Sequence, residues 1–169
     1  TTNMFFRAKH VVRGEDLDTK VGMAMHIMFA SVNKVWRDFE GKHVVFCFEG
    51  HSWRKQEYEP YKRNRKEKRE ALTVKEKQEE EYFFEKFGEF QSFLAKRTNC
   101  SVLRHENCEA DDMIARWIQL HPDVDHVIVS SDSDFYQLLN DEVLLYRPIQ
   151  KQLLNKNDII EGFNIHPNN

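Results

Sequence analysis

Two short acidic clusters constrain what this chain can fold into. Each lies at the boundary of an apolar segment, and together they contain Glu109, Asp111, Asp112, Asp132 and Asp134. Carboxylates at this density repel one another and oppose a compact state unless a cation lies among them. Mg²⁺ and Mn²⁺ prefer hard oxygen ligands, and Mg²⁺ is usually bound by a few carboxylates while it keeps waters and substrate phosphates. The clusters therefore predict a divalent-cation site.

The periodicity of the apolar residues predicts an α/β framework around these clusters. The predicted elements are a helix over 16–39, a buried strand over 43–48, a helix from a Thr73-Val74-Lys75-Glu76 capping box to about Arg97, a strand over 100–103, a helix over 109–120, a strand over 125–131, a short helix over 134–139, a strand over 143–146, and a helix over 157–161 ended by Gly162. Strands that alternate with helices indicate a mainly parallel sheet with helices on both faces.

Glu49 is a sixth candidate ligand, because it directly follows the strand over 43–48. In open α/β sheets a site forms outside the carboxyl ends of the strands, so we expect Glu49 and both clusters at one edge. Glu109 and Asp112, three residues apart, share a face of the first helical turn, and Asp111 points about 100° away. Each acid alone also fits a helix or turn cap. Their expected convergence is what favours a cation site.

The segment over 54–69 has no apolar face at any period, yet it holds eight cations against three acids. The net charge of −3 conceals this local excess. Such a run is usually a solvated surface. Beside a carboxylate cluster, however, it suits the binding of phosphate groups.

Composition is compatible with one domain, since 40% of the 169 residues are hydrophobic and 12% aromatic. The phenylalanines from Phe83 to Phe93 recur at helical spacing and predict a core face, with base stacking as the alternative. Three cysteines without a CxxC pattern indicate a reducing compartment and neither disulfides nor zinc. The sequence shows no signal peptide and no membrane-spanning run.

The chain resembles the 5′-nuclease family, that is, the flap endonucleases and the 5′-3′ exonuclease domains of bacterial polymerases, and looks closest to its bacteriophage members. The resemblance rests on Glu109-Ala110-Asp111-Asp112 followed by Ser131-Asp132-Ser133-Asp134, on the strand ending at Glu49, on Pro60-Tyr61-Lys62 with Arg65, and on Thr2-Asn3 through Phe6-Arg7. It implies a PIN-like, resolvase-type α/β domain over 1–169, with a helical arch over about 50–97. It also implies two divalent ions, Mg²⁺ or Mn²⁺, and structure-selective hydrolysis of DNA phosphodiesters in replication or repair.

The same resemblance implies roles for individual residues. The acids Glu109, Asp111, Asp112, Asp132 and Asp134 are similar to the family's metal-binding set, and Glu49 stands where relatives usually carry aspartate. Lys62 and Arg65 resemble arch cations that contact the scissile phosphate, and Tyr61 resembles an aromatic residue that places the terminal nucleotide. The further predicted nucleic-acid contacts are Arg7, Arg63, Lys66 and Arg69.

Partners and completeness are also implied by the resemblance. The expected substrates are DNA with 5′ flaps or 5′ ends and RNA–DNA hybrids, and the expected partners are replication proteins. The protein is expected to be a cytoplasmic monomer without membrane contact. Relatives carry an aspartate before the Thr-Asn segment and a helical hairpin region that binds duplex DNA, both outside this sequence. The chain is therefore expected to be a fragment of reduced activity.

Two other functions remain open at this point. A non-catalytic nucleic-acid-binding module on the same fold would bind DNA without hydrolysing it. A PIN-type ribonuclease would prefer RNA, but small enzymes of that kind generally lack a long charged arch.

Overall fold

The computed structural model of the chain describes Phe5, residues 16–58, Pro60 and residues 71–163, without the side chains of Lys55, Gln56 and Phe163. Its helices are α1 (Leu17–Asp38), α2 (Arg54–Glu57), α3 (Val74–Arg97), α4 (Ala110–Leu120) and α5 (Lys156–Phe163), with a 3₁₀ helix at Ser133–Leu138. Its strands are β1 (Val45–Cys47), β2 (Ser101–Leu103), β3 (His126–Val129), β4 (Val143–Arg147) and β5 (Gln152–Leu154).

The chain divides into two compact units. The first unit contains Thr1–Met28 and His43–Ala110, and the second contains Phe29–Lys42 and Asp111–Asn169. Each is described below by itself.

The two long helices, α1 and α3, begin in the first unit at capped N-termini. Asp16 accepts a hydrogen bond from the Thr19 backbone N–H at 3.0 Å, which satisfies a free amide of the first turn of α1. Thr73 and Glu76 form a capping box at the start of α3: the Thr73 hydroxyl accepts from the Glu76 N–H, and Glu76 accepts from the Thr73 N–H. The predicted capping box is confirmed.

The core of the first unit is aromatic. Strands β1 and β2 are parallel, with Phe46 opposite Val102. One face of α3 buries Phe83, Phe87, Phe90 and Leu94, and these rings pack with Phe5, Phe46 and Phe48 at centroid distances of 4.9–6.4 Å. Aromatic contacts at these distances favour offset and edge-to-face geometry. The rings therefore fix α3 against β1 and the segment that leads from it to Glu49.

The prediction that all the phenylalanines from Phe83 to Phe93 lie in the core is wrong for two of them. Phe84 is 44% exposed and Phe93 is 51% exposed. Positions 83, 87, 90 and 94 follow the spacing of a single helical stripe, and residues 84 and 93 lie to its sides.

The second unit has a three-stranded sheet. Strands β3 and β4 are parallel, with Ile128 opposite Leu145, and β4 and β5 are antiparallel, with Tyr146 opposite Leu153. The buried core of this unit consists of Ile128, Phe135, Leu139, Val143, Leu145, Leu154 and Ile159. Ile114 and Ile118 of α4 pack against it. The core thus holds β3 and the middle of α4, the two elements of this unit that adjoin Asp111, Asp132 and Asp134.

The predicted α/β class and the parallel pairings are confirmed, with three differences. The described strands form two sheets rather than one. Strand β5 was not predicted, because its exposed residues Gln152 and Leu153 give no alternating pattern. Helix α5 continues through Gly162 to Phe163, because one glycine only weakens a helix by about 1 kcal/mol.

Among the described residues, we find no helix with the length and apolar character needed to cross a membrane.

Candidate metal centre

Three aspartates of the second unit converge as the sequence predicts. Carboxylate oxygens of Asp111, Asp132 and Asp134 all lie within 4.8 Å of one another. Asp111 and Asp132 are half-buried, and Asp134 is exposed. Two oxygens bound to one Mg²⁺ at about 2.1 Å lie at most about 4.2 Å apart, so small side-chain rotations would place these three around one ion. Hard oxygen ligands of this kind suit Mg²⁺, Mn²⁺ or Ca²⁺.

Local hydrogen bonds hold the two aspartates that follow β3. The Ser130 N–H donates to the Tyr146 carbonyl at 3.0 Å, which ties the end of β3 to β4. The Asp132 N–H donates to the Ser130 hydroxyl, and one Asp132 carboxylate oxygen accepts from the Asp134 N–H at 3.2 Å. Asp132 therefore caps the 3₁₀ helix with one oxygen, and its second oxygen remains as a potential ligand atom.

Asp111 is the second residue of α4, where the positive end of the helix dipole favours a carboxylate. Asp112 follows it and is also half-buried. Asp112 is not one of the three residues in the described cluster, so its role as a ligand stays a prediction.

The other two predicted acids belong to the first unit and already have protein partners. Glu49 accepts a hydrogen bond from the Ala110 N–H at 3.1 Å. Glu109 is only 6% exposed, and its carboxylate lies 3.1 Å from the guanidinium of Arg54. Their roles as metal ligands stay predictions.

These contacts belong to a pair of loops that we call the loop clamp, in which residues 48–54 bond to residues 103–110. Backbone N–H groups of Phe48, Gly50, His51 and Trp53 donate to the carbonyls of Leu103, Cys108, Glu106 and Asn107, respectively. A Cβ at Gly50 would lie 1.9 Å from the His105 carbonyl oxygen, so only glycine allows the two loops to approach this closely. The clamp fixes the residue that precedes α4.

Sequence reasoning did not identify Gly50 or Arg54 as part of this arrangement. A glycine directly after an acid at a strand end is a usable signal for close backbone approach. Arg54 gave no signal of its own, since it is one of eight cations in its segment and its partner is 55 positions away.

Seven residues that are predicted to contact the substrate lie outside the described residues. They are Arg7, Tyr61, Lys62, Arg63, Arg65, Lys66 and Arg69. Their roles stay predictions.

Comparison with known families agrees with this geometry. The family model described as the N-terminal resolvase-like domain of 5′-3′ exonucleases matches residues 1–164. The chain belongs to this family. The resemblance seen in the sequence motifs is confirmed.

Two curated relatives show how much of a longer protein the family domain represents. The flap endonuclease Xni of Psychromonas ingrahamii is 30% identical over 139 residues, which cover 80% of this chain and 48% of the relative. DNA polymerase I of Rhizobium leguminosarum is 29% identical over 126 residues, which cover 73% of this chain and 11% of the polymerase. The chain thus spans about half the length of the flap endonuclease it matches.

Solved structures of a bacteriophage T5 protein share the fold. The T5 5′-exonuclease with bound zinc ions has a TM-score of 0.79 at 23% identity, covering 97% of this chain and 59% of that one. The T5 D15 flap endonuclease, in a complex with DNA and metal ions, has a TM-score of 0.74 at 24% identity, covering 97% and 58%. At these identities the likeness establishes the resolvase-like α/β fold.

Proposed function

We propose that this domain belongs to a structure-selective 5′ nuclease that hydrolyses DNA phosphodiesters at 5′ flaps or 5′ ends, in replication or repair. The observation that carries the proposal is the mutual approach of the Asp111, Asp132 and Asp134 carboxylates. Three carboxylates so close together repel one another, and a bound cation would offset that repulsion. Family membership supports the same reading.

The acidic and the basic residues of the chain have different roles in the reaction. Asp111, Asp132 and Asp134 would hold one Mg²⁺ or Mn²⁺, and the resemblance assigns Glu109, Asp112 and Glu49 to the rest of a two-ion set. Bound ions of this kind supply an activated water and stabilise the leaving oxygen.

The arch cations act on the substrate. Lys62 and Arg65 contact the scissile phosphate and offset its developing charge. Tyr61 places the terminal nucleotide, and Arg7, Arg63, Lys66 and Arg69 bind the backbone of the DNA. RNA–DNA hybrids are further substrates, and the protein works in the cytoplasm as a monomer with replication proteins.

The first test is cleavage of a labelled 5′-flap DNA in Mg²⁺, in Mn²⁺ and in EDTA. The wild-type chain is compared with Asp111→Asn, Asp134→Asn and, as a matched control, Asp123→Asn, which changes an exposed aspartate of the same unit. We expect cleavage that needs a divalent ion, that falls at least about 100-fold in the first two variants, and that is unchanged in the control. Single-stranded RNA of the same length serves as the competing substrate.

Other results would contradict the proposal. Cleavage that persists in EDTA excludes metal-dependent hydrolysis. DNA binding without hydrolysis in any ion, by both the chain and a form extended at both ends, with Mn²⁺ bound normally, indicates a non-catalytic module. Preferential cleavage of RNA indicates a ribonuclease.

A further inference from the structure

Arg54 and Glu109 form a partly buried ion pair in the first unit. The Arg54 Nη1 atom lies 3.1 Å from Glu109 Oε2. The Glu109 side chain is 8% exposed, whereas the Arg54 side chain is 35% exposed. Burial of a carboxylate is unfavourable unless charged or polar partners compensate for lost hydration. Arg54 is one partner that offers this compensation.

Arg54 is itself held in place on two sides. Its guanidinium carbon lies 5.0 Å from the centroid of the Trp53 ring, which is cation–π distance. The Trp53 N–H donates to the Asn107 carbonyl at 3.1 Å, so the residue before Arg54 is bonded to the loop that leads to Glu109. A cation restrained in this way loses little rotamer entropy when it pairs.

Glu109 lies directly before the helix that carries Asp111, so the orientation of its carboxylate affects the start of α4. It directly precedes α4, whose first residue, Ala110, is bonded to Glu49 and whose second residue is Asp111. Loss of Arg54 would remove this cationic partner from a buried carboxylate. The carboxylate would then be held less firmly in its present orientation.

We propose that Arg54 is a positioning residue, which holds the Glu109 carboxylate in the orientation required for metal binding at the start of α4. This inference rests on the proposed function. It separates Arg54 from the cations of the same segment that are proposed to contact DNA, namely Lys62, Arg63, Arg65, Lys66 and Arg69.

The test uses the full chain and five variants: Arg54→Lys, Arg54→Met, Glu109→Gln, the Arg54→Met/Glu109→Gln double variant, and Arg97→Met. The last is the matched control, because Arg97 is an exposed arginine at the end of α3 in the same unit. Mn²⁺ affinity is measured by calorimetry. The kcat and KM for a 5′-flap DNA are measured over a range of Mg²⁺ and salt concentrations.

We expect Arg54→Met to weaken Mn²⁺ binding and to lower kcat at fixed Mg²⁺ by about 10-fold or more, the range seen when partners of metal ligands are removed. The KM for DNA should change less than about twofold, since no phosphate contact is lost. Arg54→Lys should retain part of the Mn²⁺ affinity and of the kcat that Arg54→Met loses, because the lysine ammonium supplies the positive charge without the planar guanidinium group. The double variant should be no worse than Glu109→Gln, and Arg97→Met should match the wild type.

Three results would overturn the inference. A raised KM with weaker salt dependence and unchanged Mn²⁺ affinity would make Arg54 a DNA contact. Additive losses in the double variant would show that the two residues act independently. A lower thermal midpoint with unchanged Mn²⁺ affinity would reduce the pair to a purely structural one.

The arms of the experiment also separate this inference from the proposed function. If neither the chain nor a form extended at both ends cleaves DNA in any ion, the nuclease proposal fails, and Mn²⁺ affinity alone decides the role of Arg54. If circular dichroism shows that Arg54→Met does not fold, the Arg54→Lys variant decides the question. Reduced Mn²⁺ affinity of Arg54→Lys supports the positioning role of Arg54, and unchanged affinity overturns it.

Discussion

The carboxylate of Glu49 accepts a hydrogen bond from the backbone N–H of Ala110 at 3.1 Å, so an acid two residues beyond β1 caps the start of α4. Helix N-termini leave amides without intrahelical partners and favour negative charge there. Glu49 therefore has a structural role in the described chain that is independent of any ion. This role explains how a glutamate can function at a position where the resemblance leads one to expect aspartate.

Two substitutions separate capping from metal ligation at Glu49. Glu49→Gln retains an oxygen acceptor for the Ala110 N–H, whereas Glu49→Ala removes it. If Glu49 acts as the cap, the alanine variant should lose about 0.5–1 kcal/mol of unfolding free energy, and the glutamine variant should lose less. Urea denaturation of the metal-free protein measures this difference. Reduced Mn²⁺ affinity of Glu49→Gln, with unchanged stability, would instead indicate direct ligation.

Gly50 makes the loop clamp possible, and its replacement should disrupt the clamp. The Cβ of Gly50→Ala would lie 1.9 Å from the His105 carbonyl oxygen, so the backbone has to shift. We expect a loss of about 1–3 kcal/mol in unfolding free energy, together with weaker hydrogen-exchange protection at residues 50–53. Gly88→Ala is the matched control, since none of the described residues has an atom within 4 Å of a Cβ there.

The control variant Gly88→Ala should itself change the unfolding free energy, in the opposite direction. Gly88 lies inside α3, so alanine should stabilise the protein by about 0.5–1 kcal/mol. Equal effects of the two substitutions would show that the clamp does not depend on close approach at Gly50.

The two kinds of phenylalanine on α3 should differ in their effects on stability. Phe83 is fully buried among other rings, so Phe83→Ala should cost about 3–5 kcal/mol. Phe93 is half-exposed, and Phe93→Ala should cost about 1 kcal/mol or less. Thermal or urea unfolding of the two variants makes the comparison. A large loss for Phe93→Ala would show that this side chain is covered in solution by a surface outside the described residues.

The sequence predicts the parts of this structure that depend on local chemistry. The start of α3 follows from Thr73 and Glu76, because a capping box needs only residues three apart. The convergence of Asp111 with Asp132 and Asp134 follows from the rule that sites form at strand ends. In both cases the deciding interactions are short in sequence or fixed by topology.

The parts that the sequence does not predict depend on pairs far apart in the chain. Glu109 has the same sequence signature as Asp111, yet its carboxylate pairs with Arg54 and is buried. The position of Gly50 after a strand-end acid indicates a close backbone approach, but only the structure shows that the approaching group is the His105 carbonyl. Neither partner can be read from spacing, because tertiary packing selects one of many possible cations or loops.

The cap at Asp16 should make the stability of α1 depend on pH. Hydrogen bonds from the Thr19 side chain and backbone lower the pKa of Asp16 from its ordinary value of 3.8. Because the folded-state pKa is the lower one, the stabilisation is present above about pH 4 and is lost as the pH falls through that folded-state pKa. The thermal midpoint of Asp16→Ala should be about 2–4 °C below wild type at pH 7. The difference should shrink towards pH 3, whereas Asp123→Asn should show no such trend. A difference that stays constant from pH 7 to pH 3 would mean that the charge of Asp16 does not contribute to the cap.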